Sequence, residues 1–284
     1  MHDLAQYIGA YATLLLAGIV VATLLTLLLF RTWAGRYGPL LRAVYARIAK
    51  ALGNASWLPS LYARAPWLRR LAALPAPLVV IPLASFGVIA VMLSAFAELA
   101  DGIGPNEDLH LFDQALAEAL RAHASPAVDA VFTAITHLGD GVTLVGIGVA
   151  VGTALLLKRR FVLLYGWVLT LAGSGLLNAV IKGWFERSRP GEVPLLATWS
   201  FPSGHAMNSL VAYGMLVYLL SRAVPRTWMP AAIGAAVTVV MLVGASRLFL
   251  YLHYFSDVLA GYVAGLAWLT VCIATIELGE RRAR

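Results

Sequence analysis

Long apolar runs, separated by short polar stretches, organise the whole of this 284-residue chain. Seven runs reach or approach the roughly 20 residues that a membrane-spanning helix needs. They cover residues 7–30, 75–97, 141–157, 161–181, 206–221, 228–246 and 258–276, and the third extends back to about Val131. Runs of this length, rich in Leu, Ala and Gly, are typical of helices, because barrel strands would alternate over about ten residues. The pattern predicts an all-α, polytopic membrane helix bundle.

Basic residues fall mostly on one side of these predicted spans. Segment 31–74 holds eight Lys and Arg residues and no acidic residue, which places it in the cytoplasm by the positive-inside tendency. Alternation then puts the basic groups at 158–160, 222–226 and 281–284 on the same side, so that sixteen of the 21 basic residues are inside. The predicted topology therefore has the amino terminus outside and the carboxyl terminus inside.

The composition agrees with an integral membrane protein. Only 12% of the residues are charged, against about 25% in soluble domains. The formal charge of +7 is explained by the topology and by contact with anionic inner-leaflet lipids, so membrane lipids are expected partners and nucleic acid is not. The single Cys272 excludes an intramolecular disulfide and a thiolate metal site. The oligomeric state is left open.

The pattern divides the chain into two parts. The first apolar run lacks preceding basic residues and is longer than the apolar core of a cleaved signal peptide, so we expect a retained anchor. Residues 1–74 therefore comprise an amino-terminal transmembrane helix and a basic cytoplasmic segment, whose interleaved Trp and Tyr residues indicate helices in the inner interface. Residues 75–284 contain the other six spans and form the core.

Five basic residues fall on the outer side, and four of them lie close to span ends. They are Arg121, Lys182, Arg187, Arg189 and Arg247. An ionisable residue at membrane depth costs at least about 2.5–3.5 kcal/mol on insertion scales, so it indicates a functional site. The topology brings Lys182, Arg189 and Arg247 to the same outer surface. Three fixed cations, two of them able to bind two oxygens at once, suit a phosphate dianion.

Two histidines accompany these cations. His253 and Asp257 are four residues apart and share a face if helical, so the carboxylate can hold one imidazole nitrogen and leave the other as a nucleophile or base. His205 follows Ser203 and Gly204 at the predicted start of the fifth span, where backbone N–H groups favour an anion. A protonated His205 could donate to the leaving oxygen. No Cys, Asp or Glu cluster has metal-ligand spacing, which favours a covalent mechanism without a metal or other cofactor.

The same residues form a pattern in three parts. It consists of Lys182-x6-Arg189-Pro190, then Pro202-Ser203-Gly204-His205, then Ser246-Arg247-x5-His253-x3-Asp257. In order and spacing this pattern resembles the signature of the type-2 phosphatidic acid phosphatase superfamily, which includes membrane lipid phosphate phosphatases. The resemblance implies a six-helix phosphatase core over about residues 75–276, with the first span as an extra amino-terminal helix.

The resemblance also implies a role for each matching residue. His253 would attack phosphorus to give a phosphohistidine, with Asp257 orienting it, and His205 would protonate the departing lipid oxygen and then activate water. The phosphoryl oxygens would be bound by Lys182, Arg189, Ser203, Gly204 and Arg247. The implied enzyme hydrolyses a lipid mono- or diphosphate, without a metal ion, at the outer face of a bacterial-type inner (plasma) membrane.

The substrate and the reaction class have alternatives. Candidate substrates are undecaprenyl diphosphate, phosphatidic acid and phosphatidylglycerophosphate, and within the family an outward-facing site favours the polyprenyl diphosphate. A lipid phosphotransferase would pass the same phosphoryl group to another lipid. An anion transporter or channel would also place cations in a helical bundle, but it would not need the His253–Asp257 pair or a second histidine.

Further polar residues near the predicted site are interpreted structurally. His137 and Asp140 are expected at a turn or helix end, with a place in the site wall as the alternative. Glu186 and Arg187 are expected in a loop, and a contact to a second phosphate or a head group is the alternative.

Two other features concern packing. Stretch 98–118 has apolar residues at helical spacing and is expected to form an interfacial outer helix that could cover the site. The pairs Gly148/Gly152 and Gly261/Gly265 are expected to pack helices within the chain.

Overall fold

The computed structural model describes residues 76–191 and 199–282, together with positions 43, 47, 50 and 63–65. The predicted span 7–30 and the interfacial helices of segment 31–74 lie outside the described residues, apart from those isolated positions, so the extra helix and the division at residue 74 stay predictions. Eight α-helices follow one another in the two described ranges. They are α1 Ala76–Asp101, α2 Asp108–Ala122, α3 Pro126–Thr136, α4 Gly141–Leu157, α5 Phe161–Phe185, α6 Gly204–Leu220, α7 Met229–Phe249 and α8 Phe255–Arg282.

Each of the six predicted spans of the core coincides with a helix. Within residues 76–191 and 199–282, five helical stretches are long and apolar enough to cross a membrane, namely Leu78–Asp101, Pro126–Leu157, Phe161–Phe185, Arg226–Phe249 and Phe255–Arg281. The sixth predicted span of the core corresponds to α6. This helix has 17 residues, which is the lower limit of the lengths that span a bilayer. The predicted all-helical membrane bundle is confirmed.

The third predicted span reaches back past Val131, as expected, because the stretch Pro126–Leu157 is long and apolar enough to cross a membrane, but a short turn interrupts its helix. Helix α3 ends at Thr136, a 3₁₀ turn covers His137–Gly139, and Asp140 is extended before α4 begins. Gly139 permits this turn to pack closely on α7, because a Cβ there would overlap Cγ1 of Val243.

Helices α6 and α8 form the centre of the bundle. Helix α6 packs against α5, α7 and α8, and α1 packs against α8. Side chains on both central helices are fully buried, among them Met207 and Met215 of α6 and Ala260 of α8. In contrast, α1 and α4 expose large apolar side chains such as Phe86 and Val142, as helices facing lipid do.

Close contact between α6 and α8 depends on two glycines. A Cβ on Gly261 would lie 2.6 Å from the carbonyl oxygen of Ser203, and one on Gly265 would lie 3.1 Å from that of Met207. The Gly261/Gly265 pair therefore packs helices within the chain, as small residues do in membrane bundles. The Gly148/Gly152 pair faces α5, where Trp167 donates its Nε1–H to the carbonyl of Gly148 over 2.9 Å.

The helix expected over stretch 98–118 is present as α2, but it begins only at Asp108, because residues up to Asp101 belong to α1. Its buried side, with Ala115, Leu116 and Leu120, packs against Phe249 and Phe255, at the end of α7 and the start of α8. Helix α2 therefore supports the turn between α7 and α8, and this turn carries His253.

Candidate active site

The helix ends that the sequence places at one surface meet around a cavity of about 460 Å³. Six of the eight predicted site residues line it. They are Lys182, Arg189, Gly204, His205, Arg247 and His253. The other two, Ser203 and Asp257, are fully buried beside it, and the backbone N–H of Ser203 donates to the carbonyl of Asp257 over 2.8 Å. The structure thus brings all three parts of the sequence pattern together.

Three cations reach the cavity from different parts of the chain. Lys182 lies in the last turn of α5, Arg247 lies in the last turn of α7, and Arg189 follows α5 in a loop. Lys182 donates to the carbonyl of Trp199, and Nη1 of Arg247 donates to the hydroxyl of Thr136 over 2.7 Å. Because these acceptors are neutral, they orient Lys182 and Arg247 without cancelling their charge. Such a set of cations can bind a phosphate dianion.

The loop that carries Arg189 is fixed by backbone geometry and hydrogen bonds. Helix α5 ends at Glu186, whose φ of 46° is in the left-handed region, and the chain then turns back. Ser200 ties this loop to the start of the next segment, because its Oγ–H donates to the carbonyl of Ser188 over 2.9 Å. Arg189 in turn donates from Nη1 to the carbonyl of Leu252 over 2.8 Å, which joins this loop to the turn before α8.

The amino terminus of α6 provides a second type of anion donor. Ser203 precedes the helix, and its carbonyl accepts from the N–H of Met207 over 3.0 Å. Its buried Oγ has no hydrogen-bond partner among the described residues. Gly204 is required for close packing, because a Cβ there would lie 2.9 Å from Oδ1 of Asn178. Free N–H groups at such a helix start favour a bound anion.

His253 has its two ring nitrogens held by partners of opposite kind. Nδ1 lies 3.2 Å from Oδ2 of Asp257, and Nε2 lies 3.2 Å from Nη1 of Arg189. Since a guanidinium can only donate and a carboxylate only accept, this network assigns the proton to Nδ1 and the lone pair to Nε2. Burial lowers the pKa of His253 to about 3, although the carboxylate of Asp257 opposes this shift. The imidazole is therefore neutral at physiological pH, with Nε2 available as a nucleophile.

The His253–Asp257 contact differs from the sequence-based expectation of a shared helix face. Helix α8 begins only at Phe255, so His253 lies in the turn before it. Oδ2 of Asp257 also accepts the backbone N–H of Tyr254 over 2.9 Å, as the third residue of a helix does in a capping box. One carboxylate oxygen therefore caps the helix and holds the imidazole.

His205 also has an aspartate partner, which sequence reasoning missed. Oδ1 of Asp140 lies 2.7 Å from Nε2 of His205, and Oδ2 lies 2.6 Å from Nδ1 of His137. Asp140 lies at a helix start and His137 in a turn, as expected; neither lines the cavity, but Asp140 binds His205, which does. Nothing in the sequence links Asp140 to a residue 65 positions away; its position between two glycines was the available signal.

Arg187 and Asp113 form a buried charge pair beside Asp257, the partner of His253. Arg187 lies in the loop, as expected, but it is buried and donates to Oδ1 of Asp257 over 2.6 Å and to Oδ2 of Asp113 over 2.9 Å. The expected alternative, a contact of Arg187 with a second phosphate, does not fit these partners. Asp113 was missed, although an acidic residue one turn before Leu116 on the apolar side of α2 was a signal.

Comparisons with known proteins agree with the family resemblance. The sequence model of the PAP2 superfamily matches residues 161–279, which contain all three motifs. Phosphatidylglycerophosphatase B of Bacillus subtilis (strain 168) is 35% identical over 160 residues, which are 54% of this chain and 78% of the relative. A crystal structure described as the first transmembrane PAP2 type phosphatidylglycerolphosphate phosphatase from Bacillus subtilis superposes with a TM-score of 0.61 at 30% identity. The match covers 66% of this chain and 96% of that one.

The resemblance drawn from the three motifs is thus confirmed by sequence identity and by fold. The chain belongs to the PAP2 superfamily and is an integral membrane phosphatase that acts on lipid phosphates.

Proposed function

We propose that this phosphatase hydrolyses a lipid mono- or diphosphate at the outer face of the membrane, through a phosphohistidine on His253 and without a metal ion. One observation carries the proposal: Nε2 of His253, with its lone pair assigned, shares a cavity with Lys182, Arg189 and Arg247. A transporter or channel would need the cations but not a nucleophilic nitrogen among them.

The first step forms the bond between His253 and phosphorus. Nε2 of His253 attacks the phosphoryl group, the bond from phosphorus to the lipid oxygen breaks, and His205 gives its proton to that oxygen. Asp257 stabilises the positive charge that forms on the His253 ring, because it accepts the Nδ1–H. The products of this step are the free lipid alcohol or lipid phosphate and a phosphohistidine.

The second step releases inorganic phosphate. His205, now neutral, removes a proton from water, the water oxygen attacks phosphorus, and the bond to Nε2 of His253 breaks. Asp140 holds Nε2 of His205, so the proton transfer in both steps falls to Nδ1 of His205. The carboxylate of Asp140 positions this ring and stabilises its charged form.

The phosphoryl oxygens are bound from several directions throughout. Lys182, Arg189 and Arg247 supply charge, and Ser203 and Gly204 supply the start of α6. Burial lowers the pKa of the Arg189 guanidinium, which reflects the cost of keeping this cation out of water. An anion in the cavity removes that cost and favours the binding of a phosphoryl group over a neutral one.

The substrate is proposed from the relatives. The Bacillus sequence relative and the Bacillus crystal structure are each named for a phosphatidylglycerophosphate phosphatase, so this lipid becomes the first candidate. Undecaprenyl diphosphate, which the outward-facing site favours, comes next, and phosphatidic acid is third.

A phosphate-release panel tests the reaction. The purified protein in detergent should release inorganic phosphate from at least one of these three lipids in the presence of a chelator, and vanadate should block the release. His253→Ala should lower kcat by at least about 1,000-fold, as the loss of a nucleophile does. His123→Ala, at an exposed position at the end of α2, is the matched control and should retain full activity.

Each other outcome contradicts a defined part of the proposal. Full activity of His253→Ala would reject the nucleophile. Transfer of labelled phosphate from the donor to an acceptor lipid would identify a phosphotransferase, and loss of activity in chelator would reject the metal-free mechanism.

The side of the membrane is tested at the two ends of α5. Glu186 ends this helix beside the site, and Arg160 precedes it at the other end; both are exposed. In intact cells a membrane-impermeant maleimide should label Glu186→Cys and should label Arg160→Cys only after the membrane is opened. The native Cys272 is buried and gives a low background. The opposite labelling pattern would place the site in the cytoplasm.

A further inference from the structure

The carboxylate of Asp257 has hydrogen-bonding partners at both of its oxygens, and His253 is only one of them. We infer that Arg187 is a positioning residue for the nucleophile: it fixes Asp257, and Asp113 of α2 in turn fixes Arg187. This inference rests on the proposed role of His253. It assigns to the external helix α2 a part in the reaction that none of the three motifs includes.

The contacts form one continuous buried chain. Nη1 of Arg187 lies 2.6 Å from Oδ1 of Asp257, while the other oxygen of Asp257 holds Nδ1 of His253. Nη2 of Arg187 lies 2.9 Å from Oδ2 of Asp113. The side chains of Asp113 and Asp257 are 0% exposed, and that of Arg187 is 8% exposed. Charges so far from water keep a single arrangement, because breaking a buried pair leaves an uncompensated charge.

Ser256 joins the same chain from the start of α8. Its backbone N–H donates to Oδ1 of Asp113 over 3.0 Å, its hydroxyl also contacts Asp113, and Nη1 of Arg187 donates to that hydroxyl over 2.8 Å. The guanidinium carbon of Arg187 lies 4.3 Å from the centre of the Tyr254 ring, a cation–π distance. The plane of the guanidinium is therefore fixed from its face as well as from its edge.

This geometry requires an arginine. Two separate nitrogens of the guanidinium bind two separate carboxylates at a fixed spacing, which the rigid planar fork provides and the compact ammonium of a lysine does not. Burial raises the pKa of Asp113, and hydrogen bonds from Ser256 and Arg187 oppose that shift. The ionised carboxylate of Asp113 thus depends on Arg187, just as the orientation of Arg187 depends on Asp113.

Arg187 does not belong to the phosphate site itself. It is absent from the cavity wall, whereas Arg189, two residues later, lines the wall and contacts Nε2 of His253. The pair Arg187 and Arg189 therefore offers a matched comparison within one loop. A change at Arg187 should affect the chemical step, and a change at Arg189 should affect the binding of phosphate.

The experiment compares Arg187→Gln, Arg187→Lys and Arg189→Lys in the full-length protein in detergent. For each variant, kcat and the inhibition constant of inorganic phosphate are measured, together with the rate of phosphohistidine formation in a single turnover. Arg187→Gln should lower kcat and phosphohistidine formation by about 10- to 100-fold, the size typical of partners that orient a functional side chain. Its inhibition constant for phosphate should stay within about threefold of the wild-type value. Arg187→Lys should recover only part of kcat, and Arg189→Lys should weaken phosphate inhibition.

Asp113→Asn provides a second measurement that does not remove the arginine. Asp113→Asn should lower kcat by about 3- to 10-fold and leave phosphate inhibition unchanged. Added to Arg187→Gln, it should lower kcat by less than a further factor of about two, because the two residues act as one unit. This variant also decides the question if Arg187→Gln does not fold.

The inference is overturned if Arg187→Gln keeps kcat within about threefold of wild type, or if it weakens phosphate inhibition as Arg189→Lys does. The inference is also overturned if the losses of kcat caused by Asp113→Asn and Arg187→Gln multiply in the double variant, because the two residues would then act independently. If instead the wild-type protein forms no phosphohistidine, the proposed function fails, and that result is distinct from all of these.

Discussion

The two histidines of the cavity each bind an aspartate, but the two pairs are placed in opposite surroundings. In the pair His253–Asp257 the side chains are 2% and 0% exposed. In the pair His205–Asp140 they are 25% and 31% exposed, and the second oxygen of Asp140 binds His137, which is 64% exposed. The first pair is closed off by Arg187 and Asp113, whereas the second leads stepwise to solvent.

This difference in exposure suits the two pairs to different tasks, although each consists of a histidine and an aspartate. A nucleophile needs a fixed lone pair and no proton, which burial and a rigid network favour. A group that first donates a proton and then accepts one needs a route by which protons exchange with water. The environment, and not the identity of the residues, thus distinguishes the two histidines.

The largest expected effect is the unequal cost of removing each carboxylate charge. Asp257→Asn should lower kcat by about 10³- to 10⁴-fold, because an amide supports the wrong tautomer of a catalytic histidine. Asp140→Asn should lower it by only about 10-fold, since water can replace part of its role at an exposed position. The measurement is phosphate release from the best lipid of the panel, with the rate of phosphohistidine formation followed in parallel.

Equal losses in the two aspartate variants would remove the distinction between the pairs. A larger loss for Asp140→Asn would reverse it and would make His205 the better candidate for the nucleophile. Circular dichroism of both variants in detergent controls for helix content.

The smallest expected effect concerns the protonation of His253 in the substrate-free protein. Burial lowers the pKa of His253 to about 3, so its neutral form is complete well above that pH and is lost only as the pH falls through this value. In a ¹⁵N-histidine NMR titration, the Nε2 signal of His253 should therefore keep the shift of an unprotonated nitrogen from pH 7 down to about pH 4.5. The signal is assigned by its absence in His253→Gln.

A titration of His253 with a midpoint near the ordinary histidine value would contradict this expectation. It would mean that water reaches the ring in solution, and the contrast between a closed and an open pair would then be lost.

Much of the fold could be predicted because the bilayer simplifies the problem. Each of the core spans was visible as an apolar run, since every backbone group in the membrane must be satisfied within a helix. The order of the helix ends along the chain was enough to predict that the motif residues lie at one surface. A turn or helix end at His137 and Asp140 was predicted, but the packing of Gly139 against Val243 was not, because it depends on how the helices are placed against one another.

The missed residues share a different property: each finds its partner across the bundle. Asp113 binds a residue 74 positions later, and Asp140 binds one 65 positions later. Such pairs form only after the relative position of the helices is fixed, so the local sequence could single out each aspartate but could not identify its partner. His253 and Asp257 could be paired in advance because only three residues separate them, although the capping geometry at Tyr254 could not.

The glycine contacts between α6 and α8 have a consequence for how the enzyme tolerates its surroundings. His205 lies in the first turn of α6 and His253 lies two residues before α8, and the two helices meet where Gly261 packs against the carbonyl of Ser203. Peripheral helices can tilt as bilayer thickness varies, while the direct backbone contact between α6 and α8 favours a constant distance between the proposed nucleophile and the proposed proton donor.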